Sequence, residues 1–137
     1  MVERSSPSYE EVGYILNALF GAASHELKGG NYPKAIGFFK EVLEFQPQSD
    51  RGTKELFGAL MGSGGKLLSE GNTAEAIGAF SEAVQLSPHN LYAYLGLARA
   101  FFESGNFAQA LQITKDAMKI DPTNKDFQFL LRGLMKQ

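Results

Sequence analysis

The chain has 137 residues, a formal net charge of -2 at neutral pH and a pI near 5.7, with 44% apolar and 20% charged residues. That length suits one domain with a continuous core, and the charge balance supplies no basic stripe to neutralise phosphates, so nucleic acid is not expected as a partner. Cysteine is absent, which excludes a disulfide framework and thiolate metal sites.

Residues 1–7 read as a polar tail. No signal-type apolar stretch follows it, and no run approaches the roughly eighteen apolar residues of a membrane span, so cytoplasm is the default location. Ser8 followed three residues later by Glu11 is a capping box, which predicts a first helix running to about Leu27. Gly30-Asn31 then opens an eighteen-residue phrase, GNYPKAIGFFKEVLEFQP, that returns as GNTAEAIGAFSEAVQLSP from Gly71 and GNFAQALQITKDAMKIDP from Gly105. Within each copy the apolar residues fall at helical spacing: Ala35, Ile36, Phe39, Val42 and Leu43, then Ala76, Ile77, Phe80, Ala83 and Val84, then Ala110, Leu111, Ala117 and Met118. Gly-Asn suits a tight turn that needs positive φ, and the closing Pro47, Pro88 and Pro122 cannot continue a helix.

A second helical stretch precedes each Gly-Asn, as in Leu91, Tyr94, Leu95, Ala98, Phe101 and Phe102 before Gly105, so the unit is helix, turn, helix. Ala76 and Ala110 lie 34 positions apart, but Ala35 and Ala76 lie 41 apart. The extra seven residues are about two helical turns, which keeps the apolar face in phase. Residues Arg51 to Ser69 are therefore expected as one lengthened helix. The chain closes on a predicted helix, Lys125 to Lys136, with Phe127, Leu130, Leu131 and Leu134 on one side and Lys125, Asp126, Gln128 and Arg132 on the other. It reads as a cap on the stack and as a natural end.

Self-similarity at about 34 residues with these residues resembles the tetratricopeptide repeat family. The third unit carries the fullest match, through Tyr94, Leu97, Ala98, Phe101, Gly105, Phe107, Ala110, Ala117 and Pro122, with Thr114 standing where a large aromatic is usual. The resemblance implies an all-α, right-handed α-solenoid of antiparallel helix pairs. Its expected organisation is a single domain over 8–137, with repeats at about 9–49, 50–90 and 91–124 and a capping helix at 125–137.

The resemblance also implies a concave groove lined by the first helix of each unit. The residues expected to line it are Asn17, Phe20, Ser24 and Leu27, then Gly58, Met61, Gly62, Gly65 and Leu68, then Tyr92, Leu95, Arg99 and Phe102. The family's carboxylate clamp for acidic heat-shock chaperone tails requires Lys, Asn and Arg where this chain has Phe20, Ser24, Gly62, Tyr92 and Gly96. With no cationic donors there to offset desolvation of a carboxylate, chaperone-tail binding is not expected. Gly58, Gly62 and Gly65 share a face and either bare the backbone to a partner or let neighbouring helices cross closely; Gly64 is assigned to crossing. Arg99 either orients a peptide or pairs with Glu103 four residues on, the expected arrangement.

Catalysis finds little footing. His25 and His89 have no second ligand at metal-like spacing, and Gly62-Ser63-Gly64-Gly65-Lys66 lacks phosphate-loop spacing and continues a helix pattern. No catalytic residue, metal or cofactor is predicted. The expected function is a protein-interaction adaptor or scaffold, in a chaperone-like variant shielding a substrate segment, that binds a short apolar or amphipathic segment of another protein. The alternative is a self-assembling module forming homo-oligomers.

Overall fold

The computed structural model describes residues 7–136. Among them lie seven helices: α1 (Tyr9–Lys28), α2 (Tyr32–Phe45), α3 (Asp50–Ser69), α4 (Thr73–Leu86), α5 (Leu91–Glu103), α6 (Phe107–Ile120) and α7 (Lys125–Met135). The lengthened helix expected from the seven-residue insertion is thus α3, continuous over 20 residues. Internal packing groups the chain into two compact units that divide after Ala59.

Helix boundaries follow from local chemistry. The Ser8 hydroxyl accepts from the Glu11 N–H at 3.2 Å while the Glu11 carboxylate accepts from the Ser8 N–H at 2.9 Å, closing the capping box that starts α1. Asn90 and Asn124 cap α5 and α7 by accepting from backbone N–H groups of the first turn. The three Gly-Asn turns share one geometry. Gly30, Gly71 and Gly105 have φ of 74°, 82° and 81°. Each glycine N–H donates to the carbonyl three residues back, and the following Asn N–H donates five residues back, from Asn31 to Glu26, Asn72 to Leu67 and Asn106 to Phe101. That pattern satisfies carbonyls orphaned by the helix end and requires a left-handed residue. At the other end of each phrase, Gln46, Ser87 and Asp121 precede proline with φ of -136°, -136° and -144°. The proline ring excludes the helical conformation there, so the helix stops.

In the first unit α1 packs on α2. Leu16, Phe20 and Ala23 on one helix and Ala35, Phe39 and Val42 on the other are buried. The Phe20 and Phe39 rings meet with centroids 6.2 Å apart. Gly52 near the start of α3 lies close beneath Val42, where a Cβ would sit 3.0 Å from Val42 Cγ1.

In the second unit α4, α5, α6 and α7 pack in succession. Ala76, Phe80, Leu97 and Ala100 form a buried cluster, joined by half-buried Met61, Leu67 and Leu68 from the second half of α3. Full burial of a Phe-sized side chain stabilises by about 1.5–3 kcal/mol, so Phe80 is a principal anchor. Its ring fits only because two glycines lie against it: a Cβ on Gly64 would be 2.6 Å, and one on Gly96 2.5 Å, from Phe80 Cε1. Thr114, in the register of Phe80, is fully buried, and its hydroxyl donates to the Ala110 carbonyl at 2.8 Å, so the polar atom is satisfied inside its own helix.

Candidate protein-binding groove

Regular spacing brings the first-helix residues of the second unit to one face. Tyr92, Leu95 and Arg99 project from α5 at helical intervals, and Met61, Gly65 and Leu68 from α3 do likewise. Together with Phe80 and Gly96 they line a concavity of about 280 Å³. A second concavity of about 310 Å³ adjoins it, lined by Leu95, Arg99, Phe102 and Glu103 from α5 and by Asp126, Phe129 and Leu130 from α7. A third, of about 430 Å³, lies by the starts of α5 and α7 and shares Tyr92, Leu95 and Asp126 with these. Leu95 borders all three; the concavity between α3 and α5 is predominantly apolar, and the other two mix apolar side chains with polar and charged ones.

Of the residues expected from sequence, Met61, Gly65, Leu68, Tyr92, Leu95, Arg99 and Phe102 line these concavities. Tyr92 stands 73% exposed, while Met61, Gly62, Leu68, Leu95 and Phe102 are half-buried. The Phe102 ring packs edge-on against Phe107 with centroids 5.3 Å apart. In the first unit Asn17 and Gly58 are exposed and Ser24 and Leu27 half-buried. Phe20 is only 8% exposed, set against Phe39 and covered by the Arg51 guanidinium 3.9 Å from its ring centroid. Its face is already taken by a cation.

Arg99 does not pair with Glu103. Among the described residues neither makes an ion pair or hydrogen bond, although they lie one turn apart on α5. Both project into the concavity from an exposed rim, where solvation competes with pairing and exposed pairs contribute little. Gly58 and Gly65 are open: a Cβ at either would meet nothing within 4 Å. Gly64 and Gly96 serve helix crossing, through Phe80.

Phe80, Asp126, Phe129 and Leu130 were not foreseen as groove residues. The last three had a readable signal, because they lie 34 positions after Tyr92, Leu95 and Gly96 and so repeat the groove register on α7. That helix is more than a polar lid: Phe129 is 77% and Met135 72% exposed. Among the described residues there is no group of three or more His, Asp or Glu side chains arranged to hold a metal ion, and no helix is long and apolar enough to cross a membrane.

A profile of the family described as Tetratricopeptide repeat matches residues 67–135, half of the chain. The chain belongs to the tetratricopeptide repeat family. Its all-helical architecture of antiparallel pairs is that of solved members of the class. The first TPR domain of Spaghetti (RPAP3) bound to the HSP90 peptide SRMEEVD superposes with a TM-score of 0.55 at 18% identity, over 90% of this chain and 92% of that one. The Hsp90 co-chaperone Cns1 from Saccharomyces cerevisiae gives 0.63 at 20% identity over 92% of this chain, which spans 40% of that protein's solved chain. The TPR2B domain of yeast Sti1, solved as a complex with pHsp70, gives 0.54 at 19% identity over 90% and 98%. Likeness at such identity establishes the fold. No curated protein matches the chain by sequence.

Proposed function

We propose that the chain is a protein-interaction scaffold, acting in the cytoplasm as an adaptor or in a chaperone-like role, that holds a short apolar or amphipathic segment of another protein on the concave face of its second unit. The observation that carries this reading is the apolar concavity lined by Met61, Leu68, Tyr92 and Leu95, on a fold whose solved neighbours include peptide complexes. Met61, Leu68, Tyr92, Leu95 and Phe102 supply the contact, and open Gly65 lets the partner approach the α3 backbone.

The partner segment is not an acidic peptide of the SRMEEVD kind found in the Spaghetti complex. Phe20, Ser24, Gly62, Tyr92 and Gly96 occupy the positions where a carboxylate clamp needs cations and amides. Among the described residues, Arg99 is the only Lys or Arg lining these three concavities. The test is affinity capture with quantitative mass spectrometry, comparing the native chain with Met61→Glu and Leu95→Glu variants of unchanged helicity, alongside titration of SRMEEVD. A partner lost in both variants supports the reading. Equal capture by all three, or micromolar binding of SRMEEVD, overturns it.

Exposure of Phe129 and Met135 on α7 favours a second reading, self-association into homo-oligomers. Light scattering across a broad concentration range separates the two: a chain that stays monomeric throughout removes this alternative.

A further inference from the structure

The concavity of about 310 Å³ between α5 and α7 differs in chemistry from its apolar neighbour. Two carboxylates line it, Glu103 from α5 and Asp126 from α7, with one guanidinium, Arg99, at the border of the two concavities. None of the three side chains makes a hydrogen bond or ion pair among the described residues. The Asp126 backbone N–H is held by Asn124, but its carboxylate is unengaged. Lys125, its chain neighbour, does not line the space. The lining therefore carries a net charge of -1 beside apolar Phe102 and Phe129.

We infer that this concavity receives a Lys or Arg side chain of the partner, next to an apolar residue seated between α3 and α5, so that the bound segment is basic and amphipathic. The inference rests on the scaffold reading above and adds the charge of its ligand. A long cationic side chain matches each part of the lining. Its methylene stem lies along apolar surface while its head stays at the wet rim, where Glu103 or Asp126 accepts its hydrogen bonds and one positive charge brings the lining to neutrality. The exposed Phe129 ring offers a face to the same cation. An acidic side chain would meet Arg99 but face two carboxylates. The ligand polarity is thus opposite to that of SRMEEVD, the peptide seen in the Spaghetti complex.

The experiment pans a phage-displayed random dodecapeptide library on the full chain. Fluorescence anisotropy is then measured on an enriched peptide and on versions with its basic residue changed to norleucine or Glu. Enriched sequences should pair an apolar residue with Lys or Arg. The Glu version should bind at least tenfold more weakly, and added potassium chloride should weaken the basic peptide but not the norleucine one. Glu103→Gln combined with Asp126→Asn should remove the preference for the basic version while leaving norleucine binding in place. Glu103→Gln alone, which leaves the start of α7 untouched, should reduce the preference in part. Enrichment of neutral or acidic sequences, or a preference that survives the double substitution, overturns the inference and leaves the scaffold reading standing. Absence of any enriched peptide sensitive to Leu95→Glu overturns both.

Discussion

Replacing Gly96 by Ala puts the close crossing of α5 over Phe80 to a quantitative test. The new Cβ would lie 2.5 Å from Phe80 Cε1, 2.6 Å from Cδ1 and 3.0 Å from Cζ. The ring cannot simply swing aside, because the same edge faces Gly64 and the side chain belongs to a buried cluster with Ala76, Leu97 and Ala100. Overpacking of this kind costs about 1–3 kcal/mol. Against it stands the helix-propensity gain of Gly to Ala, about 0.8–1 kcal/mol. Gly65→Ala supplies the propensity gain alone, since its Cβ would enter open space. The two variants should therefore differ in unfolding free energy by about 1–3 kcal/mol, with Gly65→Ala more stable than the native chain. Urea denaturation followed by circular dichroism measures both. If Gly96→Ala stabilises as much as Gly65→Ala, the argument that Phe80 is wedged between two glycines is wrong.

Other substitutions probe separate links. Gly71→Ala should destabilise by about 1–2 kcal/mol, because φ of 82° forces an L-residue into the left-handed region; a thermal melt no lower than native would contradict this. Ser8→Ala should cost about 1 kcal/mol by removing one half of the α1 capping box, read as faster amide hydrogen exchange confined to the first turn. Thr114→Phe, which restores the aromatic usual in the family, should lower stability by about 1–3 kcal/mol since the site is fully buried. Thr114→Val should shift denaturation by less than about 1 kcal/mol, as the carbonyl that the hydroxyl contacts belongs to a helix ladder.

Much of the fold was legible because its signals are local. The Ser8 and Glu11 pair, the Gly-Asn turns and the residues before proline each act within a few positions, and the seven-residue insertion left helical phase intact, so α3 could be anticipated as one helix. The site was harder to read. Periodicity states which side of a helix is apolar, but not which neighbour covers it. Phe20 looked available from its register, yet it lies against Phe39 and under Arg51, a pairing set by tertiary geometry. Gly96 fell in the groove register, but the size of Phe80 on another helix requires its missing side chain. Arg99 and Glu103 had favourable spacing, and solvent at an exposed rim decided against the bond. On α7, reading the helix as a cap hid the recurrence of the groove register at Asp126, Phe129 and Leu130.

The Gly-Asn turns have a practical corollary. Their conformation is carried by the glycine and by main-chain bonds, while the side chains of Asn72 and Asn106 form no cap and are exposed. Their φ values of -85° and -90° suit any residue. In a chain with no cysteine, a single thiol introduced at either exposed position becomes a unique attachment point for a fluorophore or spin label. Binding and unfolding can then be followed by spectroscopy on an otherwise native molecule.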